Sequence, residues 1–578
     1  MLKFQSSGSR AHQYPGRLTS IELQPDILYG GIFWRAGKSH MNGAQVLVRS
    51  LANEGVDTIF GLPGIQIMRL FDALYDESRI RLVTVRNEQA TTYMAYGYAR
   101  TSGKPGVALV VPGPGVLNAL AGLGTAYSAS CPVLLISGQI PTRYLGTGKG
   151  LLHEIDDQLD LVRPLTKWCA RVTQPGDIPR VVRRAMYMLR TGRQRPVEIE
   201  VPPDVLEKSA EVELLEPLRA KPLKPNSSLT KKAARLLSGA SLPTILAGGG
   251  VISSGCSEAL QTLAETINAP ILTTPEAKGC VSDDHPLSLG SYFHRYGAGL
   301  LALQESDVVL AIGTRLFFYG GQRLGPRQKL IQIDVDREEI GRNFEATVGI
   351  QSDAGEALKS LISELRGKAV KSVWKADRLD EMRKISRKEL EKDAPLQMRI
   401  IDTIRDTLDE DAIIVSDMTN IGYWSSASLK GLKPRTYVTP SYFGTLGYAF
   451  PTALGAKVAN PDKQVIALCG DGGFMYASQE LSTAIRENLG IIVLVFNDGA
   501  FGASLSDQEF NYQGRVIGTK LNDPDFVALA RTFGAKGVRL SRPEELDNVL
   551  GEALRHESGP TVIEVPMPTL PTPFQLKP

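Results

Sequence analysis

Two neighbouring stretches of the sequence decide the fold: VIALCGDGG at residues 465–473 and IIVLVFNDG at residues 491–499. In each, an apolar run ends in a turn that carries a polar side chain, Asp471 in the first and Asn497 in the second. The segment between them predicts a crossover helix that joins two parallel strands. Parallel neighbours place their carboxyl ends at one edge of the sheet, where ligands bind, so we expect Asp471 and Asn497 to converge there.

The chemistry of these two turns favours a magnesium-bridged diphosphate site. The glycines leave room for phosphate against backbone N–H groups at the start of a helix. Asp471 and the amide oxygen of Asn497 are hard oxygen donors that suit Mg²⁺. A Gly-Asp-Gly turn alone is weak evidence, because most glycine turns after strands are only turns. The strand, helix, strand and Asn context makes a ligand site the better interpretation.

Outward from this pair, short apolar strands alternate with amphipathic helices, which is the pattern of parallel sheets covered on both faces. A stretch with three prolines (residues 214–228) and a charged helical segment (residues 373–392) separate three such series. The sequence therefore predicts three α/β domains, each with a doubly wound parallel sheet. Their predicted bounds are residues 41–215, 216–385 and 386–578. The predicted strands are 58–60, 81–85, 107–111 and 133–137, then 243–247, 270–273, 307–313 and 329–334, then 412–416, 464–469, 491–496 and 561–565.

The composition excludes several classes of protein. The chain has 578 residues, 43% of them hydrophobic and 22% charged, which are values typical of globular proteins. Its net charge of +3 is too small to indicate nucleic acid or an anionic membrane as a partner. The five cysteines are scattered and form no CxxC pair, so we expect neither disulfides nor zinc, and a cytoplasmic location. No apolar run reaches the roughly 18 residues that a membrane span needs.

The first forty residues differ from the rest of the chain. They show no sustained hydrophobic period, whereas Ala44, Leu47, Val48 and Leu51 have the spacing of one buried helix face. We therefore expect the fold to begin near Met41. Residues 1–40 are expected to be an extension that is disordered or not part of the fold, with a targeting peptide as the less favoured alternative.

These residues resemble a known family, the thiamine diphosphate-dependent enzymes of the acetolactate synthase and 2-oxo acid decarboxylase group. The resemblance covers essentially all of residues 41–578. Its motifs are Gly470-Asp-Gly472 followed by Asn497, Gly61-Leu-Pro-Gly64, Arg86-Asn-Glu-Gln-Ala90, Gly113-Pro-Gly-Val-Leu-Asn118, Arg163-Pro-Leu-Thr-Lys167 and Gly444-Thr-Leu-Gly-Tyr-Ala-Phe-Pro451. The resemblance implies a pyrimidine-binding (PYR) domain first, a middle domain, and a diphosphate-binding (PP) domain last. It also implies active sites shared between two subunits, hence a homodimer or homotetramer.

The resemblance also assigns roles to residues. Glu88 matches the glutamate that hydrogen-bonds N1′ of the aminopyrimidine, where a carboxyl group favours the imino tautomer needed for proton transfer. Leu446 matches the bulky residue that holds the cofactor in a V shape, and the backbone of Gly444 and Leu446 would bond the pyrimidine. The Mg²⁺ ligands would be Asp471, Asn497 and the carbonyl of Gly499. The other residues that the resemblance places at the cofactor are Pro63, Asn420, Gly472 and Gly473.

Two departures from the family pattern concern the substrate pocket. Acetolactate synthases usually carry Phe-Gln where this chain has Leu152-His153, and a Trp near the position of Asp507. His153 is a candidate proton relay, because imidazole titrates near neutral pH, and a hydrogen-bonded structural histidine is the alternative. Acetolactate synthases also hold FAD in the middle domain, where Gly248-Gly-Gly250 and Gly313-Thr-Arg315 would lie. Because flavin-free relatives carry such turns too, FAD stays open at this stage.

The sequence therefore predicts an enzyme that depends on thiamine diphosphate and Mg²⁺ and acts on a 2-oxo acid or related carbonyl compound. Acetolactate synthase-like decarboxylation and carboligation is the leading hypothesis. A non-carboligating decarboxylase, or a lyase of a diketone or hydroxyketone, is the second. A non-catalytic cofactor-binding subunit is the alternative from another class; loss of Glu88 or Asp471 would favour it, and both are present.

Overall fold

The computed structural model describes residues 39–576 except residues 220, 319–322 and 557. Within it lie three six-stranded sheets, all parallel, and one short antiparallel pair. The predicted class, three α/β domains with doubly wound parallel sheets, is therefore confirmed. The predicted extension lies outside the described residues apart from Ser39 and His40, which belong to a strand.

The first domain carries its sheet between two layers of helices. Its strands are β1 (Ser39–Asn42), β2 (Thr58–Gly61), β3 (Arg81–Thr84), β4 (Gly106–Val110), β5 (Val133–Gly138), β6 (Trp168–Arg171), β7 (Val197–Val201) and β8 (Ser209–Val212). Its helices are α1 (Gly43–Asn53), α2 (Met68–Tyr75), α3 (Glu88–Ser102), α4 (Pro114–Ser128), α5 (Gln158–Val162), α6 (Ile178–Arg190) and α7 (Pro203–Glu207). The sheet order is β3-β2-β4-β5-β7-β6, and β1 pairs with β8 outside it. All four residues of the predicted helix face after Met41 are buried in α1.

The middle domain follows an irregular stretch that includes the proline-rich segment. Its strands are β9 (Pro243–Ala247), β10 (Ile271–Thr273), β11 (Ser288–Ser291), β12 (Val308–Ile312), β13 (Lys329–Asp334) and β14 (Val348–Gln351). Its helices are α8 (Ser227–Gly239), α9 (Gly249–Ser254), α10 (Ser257–Ile267), α11 (Ala298–Glu305) and α12 (Ala354–Leu365). The sheet order β11-β10-β9-β12-β13-β14 reverses between β9 and β12, which creates a crevice at their carboxyl ends.

The third domain contains both stretches that open the sequence argument. Its strands are β15 (Ile413–Ser416), β16 (Tyr437–Val438), β17 (Val465–Gly470), β18 (Ile492–Asn497), β19 (Lys536–Arg539) and β20 (Thr561–Pro566). Helix α13 (Ala376–Asp393) leads into it, followed by α14 (Pro395–Thr407), α15 (Asn420–Ser428), α16 (Ala449–Ala459), α17 (Asp471–Met475), α18 (Leu481–Arg486), α19 (Gly502–Asn511), α20 (Phe526–Thr532) and α21 (Leu546–Leu554). The order β16-β15-β17-β18-β20-β19 is equivalent to that of the first sheet. The two sequences resemble each other only in how strands and helices alternate.

The first and third domains share one hydrophobic core, built around α3 and α16. Gly97 and Gly455 allow these helices to touch, because a Cβ atom at either would lie 2.0 Å from a carbonyl oxygen of the other helix. This contact brings the amino-terminal end of α3, which begins at Glu88, next to the third domain. None of the helices in the described part of the chain is long and apolar enough to cross a membrane.

Candidate active site

The candidate metal site lies at the carboxyl ends of β17 and β18. Asp471 is buried at 2% exposure, and its Oδ2 accepts the N–H of Gly499 at 2.8 Å. The Oδ1 atom of Asn497 accepts the same N–H at 3.0 Å, while its Nδ2 donates to Glu564 at 3.0 Å. The structure thus brings Asp471, Asn497 and Gly499 together, as their positions after parallel strands predict. Their role as Mg²⁺ ligands stays a prediction.

Two further carboxyl groups that sequence reasoning missed surround Asp471. Burial and the charge of Asp471 raise the pKa of Asp498 to about 7. Burial and the same neighbour also raise the pKa of Asp523, whose buried Oδ2 has no hydrogen-bond partner within the described chain. Carboxylates that crowd together in this way bind either extra protons or a cation. A divalent cation bound at Asp471 would reduce this repulsion between the carboxyl groups.

The backbone beside Asp471 is closely fitted to glycine. A Cβ atom on Gly472 would lie 2.6 Å from the ring of Phe501, and one on Gly473 would lie 2.8 Å from Oδ2 of Asp417. The N–H of Gly472 donates to Oδ1 of Asp471 at 2.6 Å. Neither glycine can be replaced without moving a neighbour. The turn therefore carries no side chain at these two positions, which lets a diphosphate approach the backbone N–H groups.

Glu88 is the first residue of α3 and is half-buried. The preceding residue, Asn87, caps the helix by accepting the N–H of Gln89 at 2.9 Å. The Nδ2 atom of Asn118, on α4, donates to Oε2 of Glu88 at 3.0 Å. Asn118 therefore orients the carboxyl group, a function that its position in the Gly113–Asn118 motif did not reveal.

The loop that carries Gly444 and Leu446 packs against α4 of its own chain. The hydroxyl groups of Thr445 and Thr125 are hydrogen-bonded at 2.9 Å. Gly447 has a positive φ of 73°, and a Cβ atom there would lie 2.3 Å from Cβ of Tyr476, so only glycine suits this turn. The turn leaves Leu446 half-buried, as expected of a side chain that contacts a bound cofactor.

His153 lies in the loop before α5 with a positive φ of 68°. Its Nδ1 atom is buried and has no hydrogen-bond partner among the described residues. Its backbone packs on Gly113, where a Cβ atom would lie 2.6 Å from the carbonyl oxygen of His153. The side chain of Gln158, at the start of α5, is buried, and its Oε1 accepts the N–H of Gly113 at 2.9 Å. Gln158 therefore connects α5 to the turn on which the His153 backbone packs. Gln158 is thus a second positioning residue that sequence reasoning missed.

The remaining predicted residues are placed less directly. The Nδ2 atom of Asn420 donates to the carbonyls of Leu570 and Pro571 at 2.9 and 3.1 Å, so its side chain holds the carboxyl-terminal segment. Any diphosphate contact at Asn420 would therefore fall to its backbone. Pro63 is exposed, and Asp507 is exposed on α19 with Asn511 as its hydrogen-bond donor at 2.8 Å.

A cavity of about 950 Å³ runs from the middle domain to the third domain. It joins Gly249, Gly250 and the Gly313–Arg315 turn with Met418 and Gly444. Neither Glu88 nor Asp471 is among the described residues that line it.

Asp417 also lines this cavity, at the carboxyl end of β15. Its side chain is 3% exposed, and its Oδ2 atom lacks a hydrogen-bond partner within the described chain. Burial raises the pKa of Asp417 to about 7, although the N–H groups of Met418 and Gly447 oppose the shift. The group therefore changes its charge around neutral pH instead of being fully ionised there.

Fold and site together define a cofactor-dependent enzyme of three α/β domains with a diphosphate site in the third. Comparison with known families agrees: the N-terminal, central and C-terminal domains of thiamine pyrophosphate enzymes match residues 41–161, 230–361 and 417–565. This chain belongs to the thiamine pyrophosphate enzymes and is acetolactate synthase-like.

Relatives match along nearly their whole length. The chain is 37% identical over 537 residues to a probable acetolactate synthase large subunit of Methanocaldococcus jannaschii, covering 89% of this chain and 90% of the relative. It is 36% identical over 536 residues to the probable 2-ketoarginine decarboxylase AruI of Pseudomonas aeruginosa, covering 91% and 94%. It is 30% identical over 532 residues to acetolactate synthase isozyme 3 large subunit of Escherichia coli, covering 89% and 92%. These similarities support a transferase or lyase.

Proposed function

We propose that this enzyme uses thiamine diphosphate with Mg²⁺ to decarboxylate a 2-oxo acid and join the product to a second carbonyl compound, as in acetolactate synthesis. The observation that carries the proposal is the convergence of Asp471 and Asn497 on the N–H of Gly499 at 2.8 and 3.0 Å. This arrangement supplies oxygen donors for a metal that bridges a diphosphate.

The residues present fit these two groups. Asp471, the amide oxygen of Asn497 and the carbonyl of Gly499 would hold Mg²⁺, and the crowded carboxyl groups of Asp498 and Asp523 would be relieved by its charge. The close-fitting backbone at Gly472 and Gly473 would face the diphosphate, together with the start of α15 at Asn420. The exposed Pro63 would lie against the cofactor from the first domain.

When bound, thiamine diphosphate supplies a nucleophilic carbon and an electron sink. Glu88 would hold a proton at N1′ of the pyrimidine, and Asn118 keeps the carboxyl group in one orientation. Leu446 would fix the angle between the two rings. His153 would exchange protons with the substrate as a proton relay.

We further propose that each active site is built from two subunits, in a homodimer or homotetramer. Asn118, which binds Glu88, is exposed next to Leu117, whose side chain is 49% exposed. A second copy of the chain, with the Asp471 side of its third domain placed there, would cover this apolar surface and complete the site. The cytoplasmic location also stays a prediction from the sequence.

FAD is proposed for the cavity of about 950 Å³. The N–H of Gly250 donates to the carbonyl of Gly313 at 3.1 Å, so the two glycine turns lie side by side in the wall of this cavity. Asp334, with a pKa raised to about 6 by burial, lies on the same wall. Purified protein that carries FAD would absorb near 450 nm; a colourless preparation that takes up no added FAD would contradict this part.

The second candidate is decarboxylation without carboligation. One observation favours it: the loop after His153 carries Glu154, Asp156 and Asp157, of which Asp156 is exposed and Asp157, also exposed, lies 3.6 Å from Arg171. Exposed carboxylates attract cationic substrates. A 2-oxo acid with a basic side chain, such as the 2-ketoarginine in the name of one relative, fits that charge.

The deciding experiment supplies purified enzyme with Mg²⁺ and thiamine diphosphate and follows CO₂ release and acetolactate separately, with pyruvate and with 2-ketoarginine. Acetolactate from pyruvate supports the first candidate. CO₂ from 2-ketoarginine without a joined product supports the second. No turnover of either compound, with the cofactor bound, would contradict both.

A further inference from the structure

A buried glutamate of the third domain contacts the backbone that carries Glu88. Glu480 follows α17, and its side chain is fully buried. Its Oε1 accepts the N–H groups of Arg86 at 3.0 Å and Asn87 at 3.1 Å, although it lies 394 residues further along the chain than Arg86. Its Oε2 accepts the hydroxyl of Thr483 at 2.6 Å. Oε1 of Glu480 therefore holds the turn, while Thr483 orients the carboxyl group through Oε2.

The position of that turn gives the contact its importance. Arg86 and Asn87 come directly before Glu88, and Asn87 is the cap of α3. The N–H groups of both residues are bonded to the Glu480 carboxyl group, so without Glu480 they would lose this acceptor. A shift of this turn would move the first residue of α3, which is Glu88.

Docking of the two domains alone does not require a buried charge here. Glu487, on the same segment as Glu480, pairs with Arg81 of β3 at 2.8 Å at the exposed rim. Arg486 also donates to the carbonyl of Thr84 at 3.0 Å. Burial raises the pKa of Glu480, while its hydrogen bonds and the charge of Arg86 oppose the shift, so these contacts offset part of the cost of burying a carboxylate here.

We propose that Glu480 is a positioning residue for catalysis: it fixes the Arg86–Asn87 turn so that the Glu88 carboxyl group reaches N1′ of the cofactor. The inference rests on the proposed role of Glu88. Because Glu480 also lies in the segment that begins at Asp471, it connects the diphosphate-binding half of the chain to the pyrimidine-binding half.

Two readouts test the positioning role. The first is deuterium uptake at the Arg86–Asn87 turn in cofactor-free protein, measured by mass spectrometry. The second is the exchange rate of the C2 proton of bound thiamine diphosphate, measured by NMR after acid quench, beside cofactor affinity. For Glu480→Ala we expect faster uptake at the turn and C2 exchange slower by roughly tenfold to a hundredfold, with affinity within about threefold.

Two variants distinguish the hydrogen bonds of Glu480 from its charge and from the contact between the two domains. Glu480→Gln keeps an acceptor for both N–H groups and a donor for Thr483, so C2 exchange should stay within about threefold of wild type. Glu487→Gln weakens the rim contact between the same elements and should leave both readouts unchanged. If Glu480→Ala does not fold, Glu480→Asp replaces it, since a side chain one methylene shorter withdraws the carboxylate from the turn and should slow exchange by several fold.

Wild-type C2 exchange in Glu480→Ala, or in a folded Glu480→Asp, would overturn the inference. Equal slowing in Glu487→Gln would overturn it as well, because the effect would then be domain docking. Glu88→Gln is the reference: if it exchanges at the wild-type rate, the proposed role of Glu88 fails. If Glu88→Gln is slow while Glu480→Ala is normal, only the inference about Glu480 fails.

Discussion

Asp417 shows how one residue couples stability to pH. Its pKa of about 7 lies above the ordinary value near 4 because the carboxyl group is buried. Between these two values the folded protein binds a proton that the unfolded chain has released. The contribution of Asp417 to stability is therefore complete below pH of about 4 and is lost as the pH rises through about 7.

Asp417→Asn replaces this group with one that stays neutral at every pH. We expect the Tm of the cofactor-free variant, relative to wild type, to increase between pH of about 5 and about 8, because only the wild type must ionise a buried group. Thermal unfolding of both proteins across this range measures the difference. A difference in Tm that does not change with pH would contradict the assignment.

Glu88→Gln tests the proton at N1′. The amide keeps the size of the side chain but cannot hold an exchangeable acidic proton, so we expect kcat to fall by roughly 10²- to 10⁴-fold with thiamine diphosphate affinity within a few fold. Steady-state kinetics and cofactor titration measure both. Asn118→Ala, which removes only the orienting hydrogen bond, should cost less; full activity in Glu88→Gln would exclude the role.

At the scale of elements, the turn before α4 determines the placement of the His153 loop. Gly113 has a positive φ of 58°, and its N–H is held by Gln158 at 2.9 Å. The carbonyl of His153 fills the space where a side chain at residue 113 would lie. Strain at this turn would therefore be transmitted to the His153 loop, which we propose to face the substrate.

Gly113→Ala tests this connection, with Gly146→Ala, in the loop that carries His153, as the control. Both glycines have positive φ, 58° and 71°, but a Cβ atom at Gly146 would contact nothing within 4 Å. We expect Gly146→Ala to cost about 1 kcal/mol of unfolding free energy, and Gly113→Ala to cost about 1–3 kcal/mol more and to raise KM or lower kcat. Denaturant unfolding and kinetics measure these values; equal effects of the two variants would refute the connection.

At the scale of the whole molecule, the two halves of the candidate active site belong to different domains. Glu88 begins a helix of the first domain and Asp471 begins one of the third. Under the proposed arrangement, one subunit supplies Glu88 and its partner supplies Asp471. Two inactive variants could then complement each other.

Mixing Glu88→Gln with Asp471→Asn tests that arrangement. If sites are shared, each mixed dimer has one site with both wild-type residues, so random exchange of subunits should restore about a quarter of wild-type activity. Activity measured after subunit exchange, with each variant alone as the control, gives the result. No recovery despite demonstrated mixed dimers would show that each site is built within one chain.

The sequence predicted the main elements well where the hydrophobic pattern was strong. Strands β9 and β13 have the bounds that were predicted, and β17 is shifted by one residue at each end. Strand β7, with the sequence VEIEV, was missed because Glu198 and Glu200 interrupt its apolar run although both are buried. Strand β6 was missed because it is a half-buried edge strand with a mixed pattern.

The class of fold and the cofactor class could be read from the sequence, because apolar strands, glycine turns and family motifs are local patterns. Glu88, Asp471 and Asn497 stay predicted site residues, identified from the same motifs. Only the tertiary structure decided which distant groups serve them. Asn118, Gln158 and Glu480 act through hydrogen bonds to residues that lie far away along the chain, and Asp417 owes its pKa to burial. Such contacts leave no local pattern, because packing of separate elements creates them.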